Sequence, residues 1–379
     1  MKILVDENMP HALELFSQTG EVMIISGRQI PIDKLKNANG LMVRSLTNIN
    51  AKMLANTSVK FVGTATSGTD HIDYVSLSKA GITFCAAPGC NAIAVVEYVI
   101  CALLFIAERD NFNLFDRTVG IIGVGNIGNH LYNRLKVLGV KTLLCDPLRT
   151  KYGNYNEEDF TTLDELVSRS NIVTFHTSLL KNGLYRSWHL ANFNLLMKLQ
   201  PNTILINTSR GPVVDNSALL KVLNIRKDLT IILDVWENEP NLLPNLLNKI
   251  DIATPHIAGY TVEGKLRGTI QIFEAWCKFI HYTPKIVLEK LLPSKNLSEI
   301  KFPGKLNQSN LKKLSTLIYD ISYDDMMLRK VATSPTGFDY LRKTYQERRE
   351  WSSLQIICND IDTTYILKNL GFCTKLQSY

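Results

Sequence analysis

The amino-acid sequence predicts an α/β protein with two doubly wound parallel-sheet lobes, followed by a small C-terminal α+β unit. Short apolar runs alternate with polar segments of crossover length, as in parallel strands joined by helices. This rhythm occurs twice along the chain. With 379 residues, the chain also exceeds the size at which one hydrophobic core stops growing, so more than one domain is expected.

The first series of apolar runs lies before about residue 90 and is predicted to form the sheet of the first lobe. Its members are KILVDE, VMII, LMVRS, KFVGTAT and GITFCAA. A longer apolar segment follows at residues 92–107. Because this segment contains Glu97 and is too short for a membrane span, it is predicted to be a buried helix that joins the two lobes.

The second series starts at residue 118 and is predicted to form the sheet of the second lobe. Its members are TVGIIGVG, KTLLCDP, NIVTFHTS, TILINTS, TIILDVW and DIATPHIA. A helical pattern at 262–280 then leads into a proline-punctuated stretch that indicates a linker region. We therefore expect three domains, namely a first lobe at 1–92 completed by 258–285, a second lobe at 93–257 and a C-terminal domain at 286–379.

The formal net charge of +7 comes from Lys and Arg residues that are spread along the chain. Nothing in the sequence resembles a groove-reading module, so we expect a solvated basic surface and no nucleic-acid partner. A mild attraction for anionic small molecules also fits this charge. The sequence predicts neither a nucleic-acid nor a membrane partner.

The seven cysteines are odd in number and lack C-x-x-C spacing, so they predict neither a disulfide framework nor a metal site. Most lie in apolar surroundings, as reduced core cysteines do, which indicates a reducing compartment such as the cytoplasm. The acids Asp6 and Glu7 stand where a signal peptide would need its apolar run, so no export is expected.

A glycine-rich turn follows the first strand of the second lobe. Gly123, Gly125 and Gly128 have G-x-G-x-x-G spacing, with an apolar strand before them and a helical pattern after them. This context predicts a Rossmann dinucleotide site. The first glycine permits the tight turn, the second lets the backbone approach a pyrophosphate, and the third allows close packing of the helix. Asn126 and Ile127 lie inside the same turn.

The next strand of this lobe ends in an acid, Asp146. Its carboxylate can accept hydrogen bonds from ribose hydroxyls and would repel a 2′-phosphate, which favours NAD over NADP. Arg149, three residues further on, is the one feature that favours NADP over NAD. Asp146 before Pro147 is also compatible with an ordinary turn, but that interpretation leaves the glycine spacing unexplained.

Three later strands end in reactive side chains, Arg210, Glu239 and His256. In an open parallel sheet, ligands bind beyond the carboxyl ends of the strands, so these groups should share the edge that holds Gly125. His256 suits a general base, Arg210 suits a cation for a substrate carboxylate, and Glu239 suits an acid that orients the imidazole. Each residue alone would be an ordinary turn residue; together they predict oxidation of a hydroxyl carbon by NAD.

Two other histidines are weaker acid/base candidates. His71 is interpreted as a loop or helix-start residue, and His176 as a wall of the cofactor site with Thr177 near the nicotinamide ribose. These two interpretations rest on position along the predicted strands alone.

The order of GVGNIG, NTSRG, DVWENEP and TPHIAG resembles the D-isomer-specific 2-hydroxyacid dehydrogenase family over roughly residues 1–285. Its Arg, Glu and His match Arg210, Glu239 and His256. The likeness to one branch of the family continues into the tail through LRKTYQERREWSSL. This resemblance implies NAD-dependent oxidation at C2 of a 2-hydroxy acid that carries a 4-phosphate, a cytoplasmic setting, and a homodimer formed through the C-terminal domain.

The resemblance also implies ligand-binding roles by motif. Ser45, Thr66 and Tyr260 would hold the substrate, and Asp234 would accept a hydrogen bond from the nicotinamide carboxamide. Without the resemblance, Ser45 and Thr66 are equally compatible with strand-end turns. The residues expected to line the cofactor are Gly123, Gly125, Asn126, Ile127, Gly128, Asp146, Thr177, Thr208, Asp234 and Gly259.

The substrate phosphate has no P-loop in this sequence. We expect Arg44 to neutralise it, helped by Arg348 and Arg349 across a dimer interface. Two alternatives stay open: another phosphorylated D-2-hydroxyacid dehydrogenase, such as the phosphoglycerate type, or a non-catalytic NAD-sensing protein. The presence of Arg, Glu and His together weighs against a sensor, which needs no acid/base pair.

Overall fold

The computed structural model describes residues 1–27, 30–152, 160–287, 291–294, 297–331 and 334–377. They form two compact units. Unit 1 comprises Met1–Ala92 and Tyr260–Ser294, and unit 2 comprises Ile93–Gly259 and Lys295–Tyr379. The predicted fold class is confirmed, because each unit contains a parallel sheet with flanking helices and a small additional sheet lies near the C-terminus. The division into three domains stays a prediction.

The strands form three parallel sheets, with orders β2-β1-β3-β4-β5, β11-β10-β9-β8-β6-β7 and β12-β13-β14. The strands of unit 1 are β1 (Lys2–Asp6), β2 (Glu21–Ile25), β3 (Gly40–Val43), β4 (Phe61–Thr64) and β5 (Thr83–Ala86). The larger sheet of unit 2 contains β6 (Thr118–Ile122), β7 (Lys141–Cys145), β8 (Ile172–Phe175), β9 (Ile204–Asn207), β10 (Thr230–Leu233) and β11 (Ile252–Ala253). The small sheet contains β12 (Glu299–Phe302), β13 (Gln355–Cys358) and β14 (Cys373–Leu376).

Helices connect these strands. Those before residue 110 are α1 (Ala12–Phe16), α2 (Ile32–Leu35), α3 (Tyr74–Lys79) and α4 (Ala92–Arg109). Those of the second sheet are α5 (Asn126–Val137), α6 (Pro147–Tyr152), α7 (Leu163–Arg169), α8 (Phe193–Met197), α9 (Asn216–Ile225) and α10 (Pro244–Leu247). The later ones are α11 (Val262–Phe279), α12 (Gln308–Thr316), α13 (Ile321–Val331), α14 (Pro335–Lys343) and α15 (Ile361–Leu370).

The sheet of unit 1 is covered on both faces, as its uniformly apolar strands predict. All residues of β3 and β4 are buried. On one face, Trp276 of α11 packs edge-on against Phe61 of β4, with 5.4 Å between ring centroids. Phe273 of α11 packs in the same way against Phe16 of α1, at 5.2 Å. Thr261 caps this helix by accepting from the amide of Gly264 at 3.0 Å. Tyr260 directly precedes the cap.

The larger sheet of unit 2 fixes where ligands can bind. An isolated parallel bridge joins Leu144 of β7 to Phe160. From β6, the sheet extends through β7 in one direction and through β8 to β11 in the other. The order therefore reverses between β6 and β8. In open α/β sheets, ligands bind outside the carboxyl ends of the strands at such a switch point.

The segment predicted as a buried helix is α4, whose apolar side chains are almost fully enclosed. Glu97 in this helix is also buried, and burial raises its pKa despite the opposing charge of Arg134. Both Glu97 oxygens accept from the amide of Trp351 at 3.1 Å. Within the described ranges, no helix combines the length and the apolar character needed to cross a membrane.

The C-terminal residues share a hydrophobic core with the larger sheet of unit 2. Leu328 of α13 and Phe338 of α14 are fully buried in the same cluster as Val222 and Leu233. Arg329 of α13 adds polar contacts, since it donates to the carbonyl oxygens of Leu247 at 3.2 Å and Ile250 at 2.7 Å. The C-terminal segment is thus an integral part of unit 2.

Candidate active site

The three glycines of the turn after β6 have distinct steric surroundings. Gly123 has φ 89°, and a Cβ there would lie 2.8 Å from the backbone of His176. A Cβ on Gly128 would lie 2.1 Å from the carbonyl oxygen of Gly123, so only glycine allows this packing of α5. A Cβ on Gly125 would meet nothing within 4 Å. The backbone at Gly125 is therefore open for a ligand, and the first amides of α5 favour an anion there.

Asp146 at the end of β7 braces this turn. Its Oδ2 accepts from the amide of Val124 at 2.8 Å, and its Oδ1 accepts from the amide of Arg149 at 3.1 Å. The backbone of Arg149 is thereby fixed in the first turn of α6. Each carboxylate oxygen has a second lone pair, so Asp146 can accept further hydrogen bonds, and its contact with ribose hydroxyls stays a prediction.

His176 and Thr177 follow β8 on the other side of the switch point. Both His176 ring nitrogens contact hydroxyls, Nε2 that of Thr174 at 2.9 Å and Nδ1 that of Thr208 at 3.1 Å. Burial lowers the pKa of His176 to about 3, so the ring is neutral. The Oγ1 of Thr177 is buried without a hydrogen-bond partner in the described part of the chain. An unsatisfied buried hydroxyl beside Gly123 fits a site that a polar ligand completes.

Arg210 lies in the loop after β9, and Asn207 shapes that loop. The side-chain amide of Asn207 donates to the carbonyl oxygen of Arg210 at 3.0 Å, and its Oδ1 accepts from the hydroxyl of Ser209 at 2.7 Å. Gly211 then passes so close to the next loop that a Cβ would lie 1.9 Å from the carbonyl oxygen of Trp236. The loop of Arg210 therefore packs directly on the loop that leads to Glu239.

Glu239 and His256 form a hydrogen-bonded pair. Nδ1 of His256 lies 2.8 Å from Oε2 of Glu239, and Oε1 of Glu239 accepts from the amide of Trp236 at 2.8 Å. Because a carboxylate only accepts, Nδ1 carries the hydrogen in this pair, and the proton-accepting atom of a neutral ring is Nε2. The His256 side chain is 32% exposed, so a substrate can reach it.

The charge of this pair depends on burial and on neighbouring groups. Burial alone would raise the pKa of Glu239, but the His256 ring, the Arg342 guanidinium and the Trp236 amide together lower it below its ordinary value of 4.5. Glu239 is therefore ionised at neutral pH and can orient and stabilise a protonated imidazole.

Asp234 holds the loop that carries His256. Its side chain is 1% exposed. Its Oδ1 accepts from the amide of Ile257 at 2.8 Å and from the hydroxyl of Thr254 at 2.6 Å, and its Oδ2 accepts from the amide of Ala258 at 3.1 Å. Its carbonyl oxygen accepts from the amide of His256 at 2.7 Å. Oδ2 has a lone-pair position left that could accept from a nicotinamide carboxamide. That contact stays a prediction.

The predicted substrate residues belong to unit 1. Ser45 is exposed just after β3. The Thr66 hydroxyl is hydrogen-bonded to Thr64 and to the carbonyl oxygen of Gly68, each at 2.8 Å. Tyr260 has two cations over its ring, with the guanidinium carbon of Arg44 at 5.7 Å and the Nζ of Lys265 at 4.9 Å. Arg44 is the cation that the sequence predicts near the substrate phosphate, and that role stays a prediction; the sequence gives no signal that Lys265 lies beside the same ring.

The prediction that Arg348 reaches a phosphate across a dimer interface is wrong. Arg348 is 5% exposed, its Nη2 donates to the carbonyl oxygen of Ala258, and its guanidinium lies over the ring of Tyr319 at 4.3 Å. The side chain is thus engaged inside its own chain. The charged run QERREW suggests a solvated surface, and the sequence has no signal that this arginine is buried.

One group of described residues has the side chains of a metal site, His189, Asp215 and Glu237. Its atoms already contact one another: His189 Nε2 lies 2.7 Å from Glu237, and its Nδ1 lies 3.5 Å from Asp215. Glu237 also accepts from the amide of Asn216 at 2.8 Å. We interpret this cluster as a brace between the loops after β9 and β10.

Comparisons with known proteins identify the family of the chain. A family model described as the NAD-binding domain of D-isomer-specific 2-hydroxyacid dehydrogenases matches residues 107–258, and a domain of unknown function, DUF3410, matches residues 291–371. Two curated proteins named erythronate-4-phosphate dehydrogenase, from Enterobacter sp. (strain 638) and Escherichia coli, are each 57% identical over 98% of both chains. The chain belongs to the D-isomer-specific 2-hydroxyacid dehydrogenase family. It is an NAD-dependent oxidoreductase that acts on a CH–OH group.

Solved structures show the same fold. NAD⁺-bound 3-phosphoglycerate dehydrogenase from Entamoeba histolytica is 24% identical to this chain, with a TM-score of 0.63. D-lactate dehydrogenase from Aquifex aeolicus, solved with NAD and lactic acid, has a TM-score of 0.60 and 23% identity. Each match covers 74% of this chain and 95% of the other.

Several residues that shape the site could not be identified from the sequence. Asn207 holds the Arg210 loop, and Thr254 and Tyr98 support Asp234. The hydroxyl of Thr254 donates its only hydrogen to Asp234 and can therefore only accept from Tyr98. The Tyr98 hydroxyl is thus the donor in their 2.7 Å hydrogen bond. The one available signal was Asn207, because asparagine is a poor strand former and stands here at the end of a buried strand.

The glycine geometry predicts opposite effects for two alanine substitutions. Gly125→Ala should leave the thermal midpoint of the ligand-free dehydrogenase unchanged but weaken NAD binding about tenfold or more, because the new methyl occupies ligand space. Gly128→Ala should destabilise the protein by about 1–3 kcal/mol, because its methyl meets backbone. Thermal unfolding without NAD and fluorescence titration with NAD measure both effects. Equal NAD affinity in Gly125→Ala and wild type would contradict the assignment.

The lowered pKa of Glu239 predicts a pH-dependent contribution to stability. A carboxyl whose folded pKa lies below its unfolded value stabilises the protein above the unfolded value, and this contribution is lost as the pH falls through the folded pKa. Glu239→Gln should therefore lower stability by about 1–3 kcal/mol at pH 7. The difference from wild type should shrink as the pH falls below 4.5. Thermal unfolding from pH 7 to pH 3 checks this, and a pH-independent difference would refute it.

Proposed function

We propose that the protein oxidises 4-phospho-D-erythronate at C2 to (R)-3-hydroxy-2-oxo-4-phosphooxybutanoate, with NAD, in the synthesis of pyridoxal 5′-phosphate. The observation that carries this proposal is the Glu239–His256 pair at 2.8 Å beside the Arg210 loop, at the sheet edge that carries the glycine turn. The name and 57% identity of the curated relatives support the substrate.

The chemistry is divided among three side chains. The guanidinium of Arg210 binds the substrate carboxylate in a bidentate manner and holds C2 in place. The Nε2 of His256 takes the proton of the C2 hydroxyl as the carbonyl forms, and Glu239 stabilises the resulting imidazolium. When NAD is bound, it supplies the acceptor for the C2 hydride. Gly123, Gly125, Asn126, Ile127 and Gly128 would hold its pyrophosphate through backbone amides.

Other cofactor contacts follow from the positions of the remaining side chains. Asp146 would accept from the ribose hydroxyls, and the unpartnered hydroxyl of Thr177 would bind near the nicotinamide ribose. Thr208 supports this region through His176. Asp234 and Gly259 would contact the nicotinamide end. The 2′-phosphate of NADP would meet the Asp146 carboxylate, which favours NAD.

Ser45, Thr66 and Tyr260 are proposed to hold the substrate in unit 1, and Arg44 with Lys265 is proposed to bind its phosphate. Both cations lie over Tyr260, at the start of α11, whose amides also favour an anion. A phosphate between an arginine and a lysine gains charge-assisted hydrogen bonds from each.

We also propose a homodimer formed through the C-terminal domain, residues 286–379, and a cytoplasmic location. Large apolar side chains are exposed on or beside α12 to α14, namely Leu317, Tyr323, Met326 and Tyr340. Several large exposed apolar side chains on neighbouring helices are what a surface covered by a partner would require. A monomer mass in light scattering at micromolar concentration would refute the dimer. The seven cysteines are free, and a reducing compartment such as the cytoplasm would keep them so.

Replacing His256 by Asn should reduce turnover by roughly 10²- to 10⁴-fold while the affinity for NAD stays near wild type, because only the base is lost. Asparagine tolerates the φ of 57° at this position, so the backbone should hold. The matched control is His281→Asn, which changes an exposed histidine with the same φ of 57°. NADH formation with 2-hydroxy acids, with and without a 4-phosphate, gives the rates. Turnover at the wild-type rate in His256→Asn would remove that residue from the mechanism.

Arg44→Met and Lys265→Met should each raise KM for the phosphorylated substrate roughly 10- to 100-fold, since each removes a charged hydrogen-bond donor. KM for unphosphorylated erythronate should change little in either variant. Lys278→Met serves as the control, because Lys278 is an exposed lysine in the last turn of the same helix. If both substrates respond equally, the two cations do not bind the phosphate.

A further inference from the structure

The C-terminal segment places a buried arginine against the loop of His256. The Nη2 of Arg348 donates to the carbonyl oxygen of Ala258, two residues after His256. A guanidinium that is 5% exposed is costly unless it is paired or hydrogen-bonded. This bond is therefore a strong constraint on the backbone at Ala258.

The His256 loop is held from two directions. Asp234 accepts from the amides of Ile257 and Ala258 at 2.8 and 3.1 Å, so it fixes the N–H side of the loop. Arg348 fixes the carbonyl side at Ala258. Together they immobilise the peptide units between His256 and Gly259. The amide anchor belongs to the Rossmann sheet, and the carbonyl anchor belongs to the C-terminal segment.

The surroundings of Arg348 support its charge. Its guanidinium lies 4.3 Å from the ring centroid of Tyr319. Asp324 is buried close by and accepts from Tyr319 at 2.9 Å and from Tyr345 at 2.6 Å. Burial raises the pKa of Asp324, and Tyr345, Arg348 and Tyr319 oppose that rise. The cluster thus holds the arginine side chain in one orientation.

A second arginine from the same segment acts on the other half of the catalytic pair. The charge of Arg342 in α14 is among the causes that lower the pKa of Glu239. Phe338 in the same helix is buried in the core of the larger sheet, which fixes the helix in place. The C-terminal segment therefore influences both His256 and Glu239.

We propose that Arg348 is a positioning residue for the dehydrogenase reaction, which holds the loop of His256 and Gly259 through the Ala258 carbonyl. The proposal rests on the catalytic role proposed for His256. It gives the C-terminal segment a function within its own chain, in addition to any role in dimer formation.

The test compares Arg348→Met with Arg329→Met. Arg329 is a matched control, because it also comes from the C-terminal segment and donates to backbone carbonyl oxygens of unit 2, but at Leu247 and Ile250. Arg348→Met should fold, because Asp324 can take up a proton once its cation is removed.

Hydrogen exchange of a peptide covering residues 254–262 gives a readout that needs no substrate. Its amides should exchange roughly tenfold faster in Arg348→Met and at the wild-type rate in Arg329→Met. Unchanged exchange in Arg348→Met overturns the proposal. If His256→Asn keeps wild-type turnover, the proposed function fails, while the exchange data still report on the loop.

Activity then separates positioning from general stability. Arg348→Met should lower kcat about 10²-fold, since a small displacement of a catalytic group costs that much, while substrate KM changes little. Arg348→Lys should recover part of the rate. Wild-type kcat in Arg348→Met, or equal losses in Arg348→Met and Arg329→Met, overturns the proposal.

If Arg348→Met does not fold, Arg348→Lys decides the question. Lysine keeps the charge beside Asp324 but lacks the planar fork that reaches the carbonyl oxygen. The expected result is a thermal midpoint near wild type with faster exchange in residues 254–262 and a lower kcat. Wild-type exchange and wild-type kcat in Arg348→Lys overturn the proposal.

Discussion

The buried carboxylate of Asp234 is the interaction on which the candidate active site depends. Strands β10 and β11 run side by side, and His256 must leave the second of them with a φ of 57°, which is unfavourable for a side chain with a Cβ. The bonds from Asp234 to the backbone after β11 offset that strain. Together with the bond from Arg348 to the carbonyl oxygen of Ala258, they keep the imidazole beside Glu239.

The parallel direction of the strands explains how residues distant in the chain act together. Every strand of the larger sheet is parallel, so the loops after β6, β8, β9, β10 and β11 emerge at one edge. Packing then places these loops in contact: Gly123 touches the backbone of His176, and Gly211 touches that of Trp236. The candidate site is therefore a set of loops fitted to one another, and the glycines stand where two backbones meet.

Some of this arrangement could be predicted from the sequence, and some could not. The glycine turn and the parallel sheets have local signatures, in spacing and in apolar periodicity, and the Glu239–His256 pair followed from the strand ends. The supporting residues Asn207, Thr254 and Tyr98 have no such signature, because their hydrogen bonds exist only when strands and helices from different parts of the chain are packed. Arg348 shows the limit most clearly, since a charged run suggests solvent exposure and its burial depends on Tyr319 and Asp324.

The shared hydrophobic core of unit 2 ties the C-terminal helices to the larger sheet. Leu328 of α13 and Phe338 of α14 fill space in the same cluster as Val222 and Leu233. A chain that ended before α13 would expose the apolar surface that these side chains cover and would be prone to aggregate. The larger sheet and the C-terminal helices are therefore expected to fold as one cooperative unit.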